Sequence, residues 1–150
     1  MEYIVFIDES SITKHRFPSL SAFSLPLKYY QKMSIAVNKI ITESKVSEFK
    51  WSKLRNARYY LCAKKILDLI IQDMFKLGLR VDTIVWDTHD SRHRIIGRDD
   101  MANYERMFFH LLRDLMKRRP RGGIWHIRPD VGNGIDWKTI HRCLFHVNGS

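Results

Sequence analysis

The chain has 150 residues, with 26 lysines and arginines against 16 aspartates and glutamates, a formal net charge of +10 at pH 7. Hydrophobic residues make up 45%, enough apolar surface to exclude a disordered chain, and the length suits one domain over residues 1–150. No apolar run reaches the roughly 20 residues that span a bilayer, and two cysteines are too few for a disulfide scaffold or a zinc module.

The start, Met1 to Asp8, lacks the basic region and cleavage site of a signal peptide, so the expectation is a cytoplasmic soluble protein. The surplus positive charge favours polyanionic partners, namely nucleic acid, an acidic protein or an anionic membrane face. Of these, nucleic acid is expected first, an acidic protein second, and no membrane partner. Part of it lies in Arg113, Lys117, Arg118, Arg119 and Arg121. The alternative for that run is structural, since cations near a helix C-terminus complement its dipole.

Taken in order, residues 3–7 form an apolar run that ends at Asp8, as a buried strand would. Residues 20–25 make a second strand. Pro26 then suits a helix start, and Tyr30, Met33, Val37, Ile40 and Ile41 give 27–44 a helical stripe. Residues 46–56 have no clean period and read as a connection. A long helix over 57–77 carries Tyr60, Ala63, Leu67, Ile70, Met74 and Leu77 on one stripe, with Gly78 as its stop.

Residues 79–86 read as a strand leading into Asp87, and 88–100 as a polar loop. A helix over 101–118 turns Tyr104, Met107, Phe108, Leu111, Leu112 and Leu115 inward; Pro120, Gly122 and Gly123 break it. Residues 124–128 give another strand, and Asp136 caps a last helix running to Phe145. The order β-β-α-α-β-α-β-α implies an α/β fold, a mixed sheet flanked by helices with some parallel pairing.

Three of these strands end at or near an aspartate: Asp8, Asp87 and Asp130. In open α/β sheets ligands bind outside the carboxyl ends of strands, so such carboxylates can converge. Unit charges ~4 Å apart repel by about 4 kcal/mol at an effective dielectric of about 20. A cluster therefore needs protons or hard cations, and Mg²⁺ or Mn²⁺ prefer oxygen ligands. Two such ions can clamp the attacking and leaving oxygens of a phosphodiester. The plainer alternative is an ordinary turn or cap aspartate at each position.

The connection Glu48-Phe49-Lys50-Trp51-Ser52-Lys53-Leu54 places an acid, two cations and an indole within seven residues. Glu48 is a candidate metal ligand, Lys50 and Lys53 candidate phosphate contacts, and Trp51 a candidate stacking surface. Its alternative is a hydrophobic anchor set between solvated charges. Arg92 and Arg94, with Arg98, flank the Asp87 loop as candidate phosphate contacts. Asp87, His89, Asp90 and His93 have spacing open to a transition metal, or to a solvated loop. His126 reads as a structural histidine, and Cys62 and Cys143 as inert. Without a P-loop or a G-x-G-x-x-G element, no nucleotide cofactor is expected.

Phe6-Ile7-Asp8-Glu9-Ser10, the Glu48–Leu54 segment, the strand ending in Asp87, the helix bearing Asn103-Tyr104 and the strand before Asp130 together resemble the DUF3800 family. The likeness runs from about residue 3 to 140. It implies an RNase H-like fold and a metal-dependent nuclease using two Mg²⁺ or Mn²⁺ ions. Asp8 would bridge the metals, Glu48 would be the second acidic ligand with Lys50 beside it, and Asp87 and Asp130 would be further carboxylates. Two departures stand out. Ser11 replaces the glycine that usually follows Asp-Glu-Ser, and the family's further acidic residue on a C-terminal helix has no counterpart beyond Asp136. The site is then built from fewer carboxylates, or the chain is a fragment or a degenerate copy that binds without cutting.

Overall fold

A computed structural model describes residues 1–10, 16–91, 95–130 and 134–149. Its elements are β1 (Glu2–Ser10), β2 (Ser19–Pro26), α1 (Tyr30–Glu43), α2 (Ala57–Leu77), β3 (Arg80–Val85), α3 (Asp100–Lys117), β4 (Ile124–Pro129) and α4 (Trp137–Gly149). Short 3₁₀ turns occupy Leu27–Tyr29 and Trp51–Lys53. The order is the one expected from the sequence, and the fold is α/β with a four-stranded mixed sheet flanked by helices. The chain divides into two compact units, Met1–Ser24 with Val81–Ser150, and Leu25–Arg80.

In the first unit the strand order is β3-β2-β1-β4. β1 and β4 run parallel, in register from Glu2 opposite Ile124 to Ile7 opposite Pro129. Beyond β3, Trp86 N–H donates to Pro18 O (3.0 Å) and Thr88 N–H to Arg16 O (2.9 Å). One numbering rises as the other falls, so these segments are antiparallel.

The core of this unit lies between the sheet and two helices. Val5, Ile7, Leu20 and Ala22 meet Tyr104, Met107, Phe108, Leu111, Leu112 and Leu115 of α3 and Ile140 and Leu144 of α4. All six residues expected to face inward on α3 are buried, because their 3–4 spacing makes one stripe. Each such side chain contributes roughly 1.5–3 kcal/mol by leaving water. Asp99 caps α3 by accepting from Ala102 N–H (2.8 Å). Asp136 caps α4 by accepting from Lys138 N–H (3.0 Å) and Thr139 N–H (3.3 Å). Phe108 meets both Tyr104 and Trp137 edge-to-face, at 5.0 and 5.4 Å.

Gly123 closes the approach to β4. A Cβ there would stand 3.1 Å from the Tyr3 ring, which stacks on Trp125 at 4.7 Å.

In the second unit α1 packs on α2. Asn56 caps α2 by accepting from Arg58 N–H (3.0 Å), and Gly78 ends it in the left-handed region at φ 64°. The stripe on α2 differs from the expected one. Cys62, Ala63 and Leu77 are buried, whereas Tyr60 and Leu67 are 60% and 43% exposed. Ile71 and Phe75 are exposed as well. α2 is apolar over more than one face, so periodicity alone selects no single stripe. Among the described residues no helix is long and apolar enough to cross a membrane.

Candidate functional site

Asp8 and Asp130 are brought together by strand register. Asp130 N–H donates to Ile7 O across the parallel pair (3.1 Å), continuing the ladder one residue past Pro129. Side chains alternate along a strand. Val5 and Ile7 face the helices, as do Trp125 and Ile127, so Glu2, Phe6 and Asp8 share the opposite face with His126, Arg128 and Asp130. The bond between His126 Nε2 and Glu2 Oε2 (2.9 Å) spans the two strands on that face. Both aspartates are exposed. Asp8 Oδ1 accepts from Glu9 N–H (2.9 Å). Arg128, also exposed, adds a cation beside the pair, which sequence reading missed because the register alone places it there.

Two hard oxygen donors on neighbouring strand ends fit Mg²⁺ or Mn²⁺. Mg²⁺ in particular is often held by one or two carboxylates, with water and substrate phosphate completing the shell. Among the described residues, no group of three or more histidine, cysteine or acidic side chains is gathered as a metal site.

Asp87 follows β3, at the far edge of the sheet from β4. Arg16 grips it with both arms of its guanidinium: Nε donates to Oδ1 (3.0 Å) and Nη2 to Oδ2 (2.9 Å). His89 N–H adds a bond to Oδ1 (3.0 Å). The Arg16 hydrogen bond, then the His89 amide, hold the Asp87 carboxyl below the usual carboxylate range. No local pattern signalled this pair, whose members are 71 residues apart. Arg92, His93 and Arg94 lie outside the described residues.

Glu48, Lys50, Trp51 and Lys53 belong to the second unit. Lys50 Nζ lies 3.0 Å from Glu48 Oε2, Trp51 is 57% exposed, and Phe49 meets it edge-on at 4.9 Å. Lys53 Nζ donates to Tyr59 Oη (3.4 Å). The local geometry therefore offers an acid–lysine pair beside an accessible indole.

The basic run over the last turns of α3 and just beyond it is largely engaged within the first unit. Arg113 pairs with Asp114 (2.7 Å), Arg118 with the buried Asp82, and Arg119 lies 5.1 Å over the Tyr3 ring. Cys62 is buried and Cys143 exposed; neither is in a disulfide.

No protein-family model and no solved structure matches the chain. Two curated proteins of Methanothermobacter thermautotrophicus are similar to it. Uncharacterized protein ORF2′ is 35% identical over 144 residues, covering 89% of this chain and 49% of the relative. Uncharacterized protein ORF2 is 36% identical over 148 residues, covering 91% and 51%. The chain thus spans about half the length of the curated relatives it matches.

Proposed function

We propose that the chain is a metal-dependent nuclease domain of RNase H-like type, acting on the phosphodiester bonds of DNA or RNA. The observation that carries this reading is the side-by-side placement of Asp8 and Asp130 on one face, at the carboxyl ends of parallel β1 and β4. These two carboxylates would hold Mg²⁺ or Mn²⁺. A bound divalent ion supplies Lewis-acid polarisation and lowers the pKa of water.

The chain's own residues do the rest. Asp8 and Asp130 orient the cation, and Arg128 on the same face draws in a phosphate. The +10 charge concentrates polyanions around the protein. In the second unit, Glu48, Lys50, Trp51 and Lys53 offer a strand an acid–lysine pair beside an accessible indole.

The test is a calorimetric Mn²⁺ titration of the chain and its Asp8→Asn and Asp130→Asn variants, followed by cleavage assays on DNA and RNA. Saturable binding lost in both variants, with divalent-dependent cleavage lost in parallel, supports the reading. Cleavage that survives Asp8→Asn overturns it.

A second reading is a binding module without turnover, serving nucleic acid or an acidic protein. It is favoured by the grip of Arg16 on both oxygens of Asp87, which leaves that carboxylate poorly placed as a direct ligand. It predicts salt-sensitive association and no cleavage with any metal.

A further inference from the structure

Between β3 and α3, apart from the Asp8–Asp130 pair, lie two adjoining pockets of about 230 and 440 Å³. They share Trp86, Ile95, Arg98 and Asn103 as common walls. The more enclosed one adds Arg106 and His110; the more open one adds Thr88 and Asp100. Asn103, Arg106 and His110 are three and four residues apart, so one flank of α3 presents all three toward the pocket.

The chemistry of the two halves differs. The enclosed half joins two guanidinium groups to an imidazole. Among the described residues, neither Arg98 nor Arg106 has a carboxylate within ion-pair distance. Guanidinium forks match phosphate oxygens in geometry and charge. Burial, then the cations Arg113 and Arg106, hold His110 below the usual histidine range, which leaves the ring neutral and able to donate a hydrogen bond to an anion. The open half has the indole of Trp86 and the side chains of Ile95 and Ile96 as apolar walls. Asn103 there can pair with a base edge, while Thr88 and Asp100 can bind sugar hydroxyls. A dianion joined through a sugar to a flat heteroaromatic ring is the ligand that uses both halves.

We propose that this pocket binds one nucleoside 5′-monophosphate unit, its phosphate on Arg98 and Arg106 and its base against Trp86. The unit is either a free nucleotide or the 5′-phosphorylated end of a strand. The proposal stands apart from metal-dependent cleavage, so its test is run in EDTA.

The experiment is calorimetry on the whole chain with AMP, adenosine, inorganic phosphate and a tetranucleotide carrying or lacking a 5′-phosphate. AMP is expected to bind saturably, with adenosine and phosphate each at least about tenfold weaker because each fills half the site. Arg98→Ala with Arg106→Ala should abolish AMP binding. Lys64→Ala with Lys65→Ala, which removes the same charge from exposed positions on α2, should leave it unchanged. Far-ultraviolet circular dichroism checks that both double variants fold.

Competition by the phosphorylated tetranucleotide identifies a strand end as the ligand; its failure to compete identifies the free nucleotide. No saturable AMP binding overturns the proposal. So does an equal loss in the lysine variant, which would reduce the effect to general surface charge.

Discussion

At the scale of single residues, Asp87 shows how a carboxylate can sit at a strand end and yet be occupied. Its depressed pKa arises from the Arg16 fork first and the His89 amide second. Arg16→Ala should raise it toward the ordinary range, visible as a shifted carboxyl titration by NMR. A depressed folded-state pKa contributes stability that is present above the unfolded value and lost as pH falls through the folded one. Arg16 is half-exposed, so that contribution is small. Arg118 is a different case, because its partner Asp82 is buried. Arg118→Ala removes a cation from a buried carboxylate and should cost about 2 kcal/mol in urea denaturation. Conversion of Asp82 to asparagine in the same background should recover part of the loss.

At the scale of elements, α3 and α2 make opposite cases. Leu112 on α3 is fully buried, and Leu112→Ala should cost about 3 kcal/mol. Leu67 on α2 is 43% exposed, and Leu67→Ala should stay within about 0.5 kcal/mol. Thermal melts of the two variants test this contrast. The same contrast explains what was legible in the sequence. α3 alternates apolar and charged residues sharply, so its inward stripe can be read directly. α2 carries Leu61, Ile71 and Phe75 on a second, exposed apolar face, so which face is buried depends on neighbours that local pattern does not name.

Element order, the stop at Gly78 and the cap at Asp136 are local and follow from residue type; the cap at Asp99 lies within a stretch that reads as loop. Pairing of β1 with β4 is non-local: the aspartates were visible, but their adjacency came only with register. The pocket had a weaker signal in the spacing of Asn103, Arg106 and His110, masked by the stronger apolar stripe beside it.

At the scale of the whole molecule, part of the basic charge serves the fold before it serves any ligand. Arg16, Arg113 and Arg118 are paired with carboxylates and Arg119 lies over a ring, so the count of 26 basic residues overstates the cations available to a polyanion. Binding to DNA or RNA should weaken with salt at a logarithmic slope of about −0.9 per phosphate neutralised on duplex and about −0.7 on single strands. A fluorescence-anisotropy series in salt gives the number of phosphates engaged, which should fall well short of the 26 basic residues.

The parallel pairing of β1 with β4 also sets a timetable. Glu2 waits for Ile124, and Ile7 for Pro129, with the whole Leu25–Arg80 unit made in between. At cellular synthesis rates that wait is on the order of 10 s. During it the Tyr3–Ile7 stretch has an unfilled edge of backbone donors and acceptors, the kind of surface that recruits stray strands. Refolding of the released chain should therefore be slow, since distant contacts cost loop entropy before they repay it. Nascent chains halted before residue 124 should be the species most prone to aggregate.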